Sequence, residues 1–281
     1  MRWHGSLRPQ PSGYFVGEPL GRAETVALLE RHGVRLRKSL GQHFLAEPNV
    51  VRKIVEVSGV GPGSKVLEIG AGAGTLTRAL ADVGATVIAY EIDVALRPVL
   101  EETVGDRADV RFADAAAIDF KLELPGQGWS LVANLPFNVG TPIVLDVLRN
   151  VPAVDRIVVM LQREAIQRFA AAPGSRDYGV PSVVVALHGT IEVALHVAPH
   201  LFVPRPKVES TVAVIDRIEP DPLAEQAIVL AGAAFGQRRK MIRSSLRHRL
   251  TSGEIEQAGI DPTRRAEQLS PNDYLRLAAL Q

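Results

Sequence analysis

Apolar positions along the chain follow two rhythms. Lys65–Ile69, Thr86–Tyr90, Val110–Phe112, Trp129–Ala133 and Ile157–Leu161 are short apolar runs of the kind that form buried strands. Asn49–Val57, Thr75–Val83 and Ala95–Val104 read as helices. Strands alternating with helices at this spacing predict a doubly wound, mostly parallel sheet with helices on both faces, an α/β class. Near the end of this region the rhythm changes. Ile191–Val197 and Thr211–Ile215 are joined by the proline-rich stretch Pro199–Pro206 with no clear helix between them, which predicts an antiparallel edge pair. Beyond Pro220 the signals are helical only. The last helix is well marked: Ser270 caps, Pro271 takes the first helical position, and Asp273 completes a capping-box pattern before Tyr274, Leu275, Leu277 and Leu280. At the other end, the first thirty residues are rich in Gly, Pro and Arg, with one helix expected at Arg22–Arg31, and read as an appended segment. The expected organisation is an N-terminal extension over 1–35, an α/β domain over 36–218 and a small C-terminal α-helical domain over 219–281.

Composition narrows the class. Of 281 residues 46% are hydrophobic and 22% charged, the profile of a soluble globular protein with room for one full domain and a smaller one. The absence of Cys excludes a disulfide framework, a thiolate zinc site and a Cys nucleophile, and fits a reducing cytoplasm. No apolar run reaches the roughly 18 residues of a membrane span, and Met1–Pro19 lacks the apolar core of a signal peptide, so a membrane partner is not expected. Formal charge is 32 − 31 = +1, which argues against coating nucleic acid by bulk charge; a polyanion site must come from local clustering. Arg31, Arg35, Arg37 and Lys38 form one cluster, and Arg238, Arg239, Lys240, Arg243, Arg247 and Arg249 a second, neither containing an acid. Either could be a solvated helix face. Helical spacing sharpens the second: Arg239, Arg243 and Arg247 would share one face and Phe235, Ile242 and Leu246 another, so that a helix could pack and still offer a basic ridge to a polyanion. His196 and His200 have the spacing of a helical metal pair, but Pro199 and the strand-like Val193–Val197 break that helix, and no metal is expected.

The chemistry concentrates at predicted strand ends. Val66-Leu67-Glu68-Ile69-Gly70-Ala71-Gly72-Ala73-Gly74 runs from strand through a glycine turn into a helix, where glycines let the backbone approach a ligand. A dinucleotide fingerprint would place its third glycine one residue later, where Thr75 stands, which weakens a nicotinamide reading. Glu91 closes the second strand, where an acid can accept from both ribose hydroxyls of an adenosine group, and Asp114 follows the third, in reach of an adenine amine. Asn134-Leu135-Pro136-Phe137 follows the strand Trp129–Ala133. An adenine amine is a poor nucleophile because its lone pair is delocalised into the ring. The Asn134 oxygen and a main-chain carbonyl can accept its protons and favour a pyramidal nitrogen. Phe137 would stack on the extruded base, a contact worth about 1–3 kcal/mol, and Pro136 stiffens the turn.

With these residues in view, the chain resembles the ribosomal RNA adenine dimethyltransferases, and most closely the bacterial small-subunit type, over roughly residues 36 to 281. The resemblance is carried by Lys38-Ser39-Leu40-Gly41-Gln42-His43-Phe44-Leu45, the glycine turn, Glu91-Ile92-Asp93, Asn134-Leu135-Pro136-Phe137-Asn138, Phe202-Val203-Pro204-Arg205-Pro206-Lys207-Val208 and Phe235-Gly236-Gln237-Arg238-Arg239-Lys240. It implies a Rossmann-like methyltransferase sheet, S-adenosylmethionine as cofactor, and dimethylation of two adjacent adenosines near the 3′ end of small-subunit ribosomal RNA during ribosome biogenesis, by a cytoplasmic monomer. Carried over by motif, His43 and Leu45 line the cofactor entrance, Gly70 its methionine end, Glu91 its ribose, Asp114 its adenine, and Asn134 the reaction centre. Gly72 and Leu135 are added by the turn geometry above. His43 stands where many relatives have Asn, Phe137 where they have Tyr, and Ala113 where Gly is usual. Two alternatives remain: a large-subunit dimethyltransferase of the macrolide-resistance type, whose catalytic turn resembles Asn-Ile-Pro-Tyr-His, and an RNA-binding ribosome-assembly factor whose catalysis is dispensable.

Overall fold

In a computed structural model, which describes residues 18–37 and 40–281, the strands in chain order are β1 (Phe44–Leu45), β2 (Lys65–Ile69), β3 (Thr86–Glu91), β4 (Asp109–Phe112), β5 (Trp129–Asn134), β6 (Val154–Gln162), β7 (Gly189–Val197), β8 (Phe202–Val203) and β9 (Ser210–Arg217). Seven of them form one sheet in the order β4-β3-β2-β5-β6-β9-β7, and β1 pairs with β8 in a separate two-residue antiparallel ladder. The pairs from β4 to β6 are parallel. β9 runs antiparallel to both β6 and β7, so the expected antiparallel edge pair is present with β7 outermost.

The helices are α1 (Arg22–Arg31), α2 (Pro48–Ser58), α3 (Thr75–Asp82), α4 (Arg97–Thr103), α5 (Phe120–Glu123), α6 (Gly140–Asn150), α7 (Arg163–Phe169), α8 (Val180–His188), α9 (Ala224–Phe235), α10 (Ile242–Ser245), α11 (Ser252–Gln257) and α12 (Pro271–Ala278). Side chains alternate across a strand, and both faces of this sheet are covered. Val66, Val87, Val132, Val158 and Val212 pack with α2, α3 and α4 on one face. Leu67, Ile88, Leu131, Ile157 and Ala213 pack with α6 and α7 on the other. Such two-sided burial is why the strands read as continuous apolar runs. The β9 side chain of Arg217 closes the end of α6, donating to the carbonyls of Val147 and Val151, both at 2.9 Å, and to those of Leu148 and Val154. Leu148 lies in the last turn of α6, whose carbonyls run out of intrahelical donors, while Val147 O and Val151 O also receive the Val151 and Val154 N–H groups.

A third core joins Tyr178 and α8 to the C-terminal helices α9 to α12. Two buried tyrosines fix its interior: the Tyr178 hydroxyl donates to Leu269 O and that of Tyr274 to Ala266 O, each at 2.9 Å. The cap of α12 is as expected, with Ser270 Oγ accepting from Asp273 N–H and Asp273 Oδ2 accepting from Ser270 N–H.

The basic clusters differ from expectation. No continuous helix carries Arg239, Arg243 and Arg247: α9 stops at Phe235, a turn follows, and α10 is a single short helix. Met241 bridges to Arg265 and Ile242 N–H donates to Arg264 O at 2.6 Å, so the main chain here bonds across to another segment instead of along a helix. Phe235, Ile242 and Leu246 still reach the third core. In the first cluster, Arg31 ends α1 and pairs with Glu102, while Arg37 lies 3.7 Å from Asp93, so these cations share no helix face. Lys38 and Ser39, like the first seventeen residues of the N-terminal extension, lie outside the described residues. His196 sits on β7 against Thr211 and His200 in the turn before β8, so they share no helix.

Candidate active site

The carboxyl ends of the parallel strands form a crevice, the usual ligand position of an open α/β sheet. From β2 the chain enters the glycine turn, whose Gly70 and Ala71 N–H groups donate to Tyr90 O of β3 at 2.8 and 3.2 Å. Two glycines there serve different ends. At Gly72, φ is +58° and a Cβ would stand 2.9 Å from the Phe44 ring. At Gly74, φ is +80° and a Cβ would stand 2.4 Å from Thr103 Oγ1 and 2.7 Å from Val104 Cγ2. The early third glycine is therefore required by the close packing of α4 against the turn.

Glu91 is buried, and each carboxylate oxygen accepts one main-chain N–H, from Gly72 and from Asp93, both at 2.8 Å. A carboxylate has about four lone-pair sites, so both oxygens can accept again. Burial raises the Glu91 pKa, and the main-chain N–H groups oppose that rise. Asp114 is exposed and its Oδ1 accepts from Ala116 N–H at 2.9 Å.

At the end of β5, Asn134 Nδ2 donates to His43 O at 3.1 Å. A carbonyl only accepts, so the amide nitrogen must face His43, which leaves Asn134 Oδ1 on the other side as an acceptor. Among the described residues no main-chain N–H is bonded to Leu135 O. Pro136 O receives the Val139 and Gly140 N–H groups, at 3.3 and 2.9 Å, and so starts α6 while holding the turn. The Phe137 ring is half-buried, its centroid 5.5 Å from that of His43 with the planes tilted by 30°. His43 Nδ1 lies 2.8 Å from Pro204 O and therefore carries the proton.

One cavity is lined by His43, Leu45, Gly70, Gly72, Glu91, Asp114, Asn134, Leu135, Pro136 and Phe137, all the residues singled out for cofactor and catalysis. Gln42, Glu68 and Thr75, whose part no motif announced, line it as well. Gln42 accepts from Arg37 N–H at 2.7 Å and donates to the buried Asp93 at 2.8 Å, tying the segment over the crevice to the end of β3. Glu68 lines the cavity at 1% exposure, with no partner for Oε2, and burial lifts its carboxyl to about 8. The Thr75 hydroxyl, on the same cavity, is also without a partner. A buried acid in an otherwise apolar strand is a signal available from sequence, because Glu is almost never fully buried without a partner. These two orphaned groups fit a ligand that brings its own hydrogen-bonding groups.

Arg239, Lys240, Arg243 and Arg247 are exposed in the C-terminal helical region and do not line the cavity. Arg238 is exposed as well, and its guanidinium donates to Glu267 at 2.7 Å and to Arg176 O at 2.9 Å.

Residues 33–281 match the protein family described as Ribosomal RNA adenine dimethylase. The chain is 44% identical over 277 residues to the Ribosomal RNA small subunit methyltransferase A of Nocardia farcinica, spanning 92% of this chain and 94% of that protein. To the protein of the same name from Corynebacterium glutamicum it is 38% identical over 288 residues, spanning 96% and 97%. Among solved structures, the 23S rRNA methyltransferase ErmE superposes with a TM-score of 0.65 at 26% identity, over 84% of this chain and 98% of that one. A dimethyladenosine transferase from Plasmodium falciparum superposes at 0.70 with 21% identity, over 84% and 96%, a likeness of fold.

Proposed function

Because this chain belongs to the ribosomal RNA adenine dimethylase family, we propose that it transfers methyl groups from S-adenosylmethionine to the exocyclic amines of two adjacent adenosines near the 3′ end of small-subunit ribosomal RNA, in the cytoplasm and as a monomer. The observation that carries this reading is the fixed amide of Asn134, turned by His43 O so that Oδ1 is available to an amine.

When bound, the cofactor supplies a methyl group already activated by a sulfonium charge. The chain's residues hold and align. Glu91 offers its remaining lone pairs to ribose hydroxyls, Asp114 its second oxygen to an adenine amine, and the turn at Gly70 and Gly72 its close backbone. His43 and Leu45 flank the entrance, and Glu68 and Thr75 lend unsatisfied polar atoms to the cavity wall. On the substrate side, Asn134 Oδ1 and Leu135 O accept hydrogen bonds from the two amine N–H groups, which turns the nitrogen lone pair toward the electrophile. Phe137 stacks on the extruded base and Pro136 keeps acceptors and ring in register. No base is needed before attack: the electron pair of the broken S–C bond stays with the sulfur, and the amine proton becomes acidic only once the nitrogen is methylated and then leaves to water. Arg239, Lys240, Arg243 and Arg247 supply phosphate contacts, while Arg238 holds the loop at Arg176 against the helical region.

The test is methyl transfer from labelled S-adenosylmethionine to undermethylated small subunits, with naked large-subunit RNA in parallel. Dimethyladenosine in the small-subunit RNA is expected. Label only in the large-subunit RNA overturns the proposal, and so does silence on both substrates when cofactor binding is measurable. Neutralising Arg239, Arg243 and Arg247 together should weaken RNA binding and reduce the slope of log affinity against log salt by about 2 to 3, with cofactor affinity unchanged. An unaltered slope would mean that these side chains face away from the RNA.

A further inference from the structure

Helix α1 lies outside the stretch matched by the family, which begins at residue 33, yet a continuous set of contacts links it to the reacting turn. Thr25, Leu28 and Leu29 are buried, the two leucines in the core beneath the sheet. At the start of the helix, Arg22 Nη1 donates to His200 O and to Phe202 O, both at 3.1 Å. Phe202 pairs with Leu45 and Val203 with Phe44 in the β1·β8 ladder. One residue further, Pro204 O accepts a hydrogen bond from His43 Nδ1–H, while His43 O accepts from Asn134 Nδ2 and the His43 ring lies beside Phe137.

A two-residue ladder is marginal by itself, so its place depends on what grips it from either side. From α1 that grip includes a charge-assisted pair of hydrogen bonds from one guanidinium. We propose that Arg22 is a positioning residue for methyl transfer: it fixes β8, and through Pro204 the ring and carbonyl of His43, and so the direction of the Asn134 amide. The inference rests on the function proposed above. Arg22 touches no reacting atom. Its effect falls on alignment in the transition state more than on binding.

Arg22→Ala should lower kcat on small subunits by about three- to tenfold with the KM for RNA unchanged. Arg22→Lys should recover part of the loss. Arg31→Ala, which releases the other end of α1 from Glu102, should leave kcat at the wild-type value. In the His43→Ala background, Arg22→Ala should cost nothing more. Equal losses in the Arg22 and Arg31 variants, or full additivity with His43→Ala, would overturn the assignment. A second readout needs no RNA: in protein labelled with nitrogen-15 at histidine, the Nδ1–H signal of His43, identified by its loss in His43→Asn, should exchange faster with water in Arg22→Ala than in wild type. An unchanged exchange rate overturns the inference even if the natural substrate proves to be another RNA, and an inactive wild type with the expected exchange change would count against the substrate alone.

Discussion

Asn134→Ala is expected to reduce methyl transfer by about 10²–10³-fold while cofactor affinity stays within about threefold of wild type. In the proposed reaction the side chain contributes one acceptor for the amine, and its orientation is set by the 3.1 Å bond to His43 O. Truncation removes the acceptor and leaves the sheet beneath intact, since Ala133 and Leu135 on either side hold the buried positions. Asn134→Asp should fail nearly as badly: one carboxylate oxygen would face the His43 carbonyl, acceptor against acceptor, and turn the group. Single-turnover transfer on small subunits, together with calorimetric cofactor titration, measures both terms. Near-normal turnover of either variant would remove Asn134 from the reaction centre.

The largest effect on stability is expected at Gly74. Its left-handed φ of +80° strains any other residue, and an added methyl would enter space held by Thr103 Oγ1 and Val104 Cγ2. Neither can retreat cheaply, because the Thr103 hydroxyl donates to Val99 O at 2.9 Å and Val104 is fully buried. Backbone strain and overpacking together amount to about 2–5 kcal/mol for Gly74→Ala, or roughly 5–15 °C in Tm. Gly59→Ala is the control. That glycine caps α2 with φ +69° and nothing within 4 Å, so it carries the strain alone and should cost about 1 kcal/mol. Thermal unfolding of the two variants separates the contributions; equal shifts would show that α4 gives way.

The parallel strands and the crevice at their ends, with the residues that line it, were legible because both depend on local sequence. Val66-Leu67 and Leu131-Val132 are apolar without a break, and the glycine turn and Asn134-Leu135-Pro136-Phe137 each occupy one strand end. What escaped depends on contacts distant in the chain. The helix expected through Arg239, Arg243 and Arg247 is redirected by the segment at Arg264 and Arg265. The β1·β8 ladder is too short to show a period of two. Helix α8, with Val183, Val184 and Val185 all buried, lacks an amphipathic stripe because neighbours surround it. Gln42 and Asp93 meet across 51 residues, a partnership that no local pattern announces.

Helix α8 has a further consequence. Its chain position lies before β7, in the middle of the sheet-forming sequence, but Val183, Val184 and Leu187 belong to the same apolar interior as α9 and α12. Severing the chain after β9 would strip these side chains and Tyr178 of their cover and leave an oily face on the sheet fragment. The basic surface near Arg239 is therefore mounted on the sheet through shared packing, so that whatever it binds is presented to the crevice by one continuous body, like a handle cast in one piece with its blade.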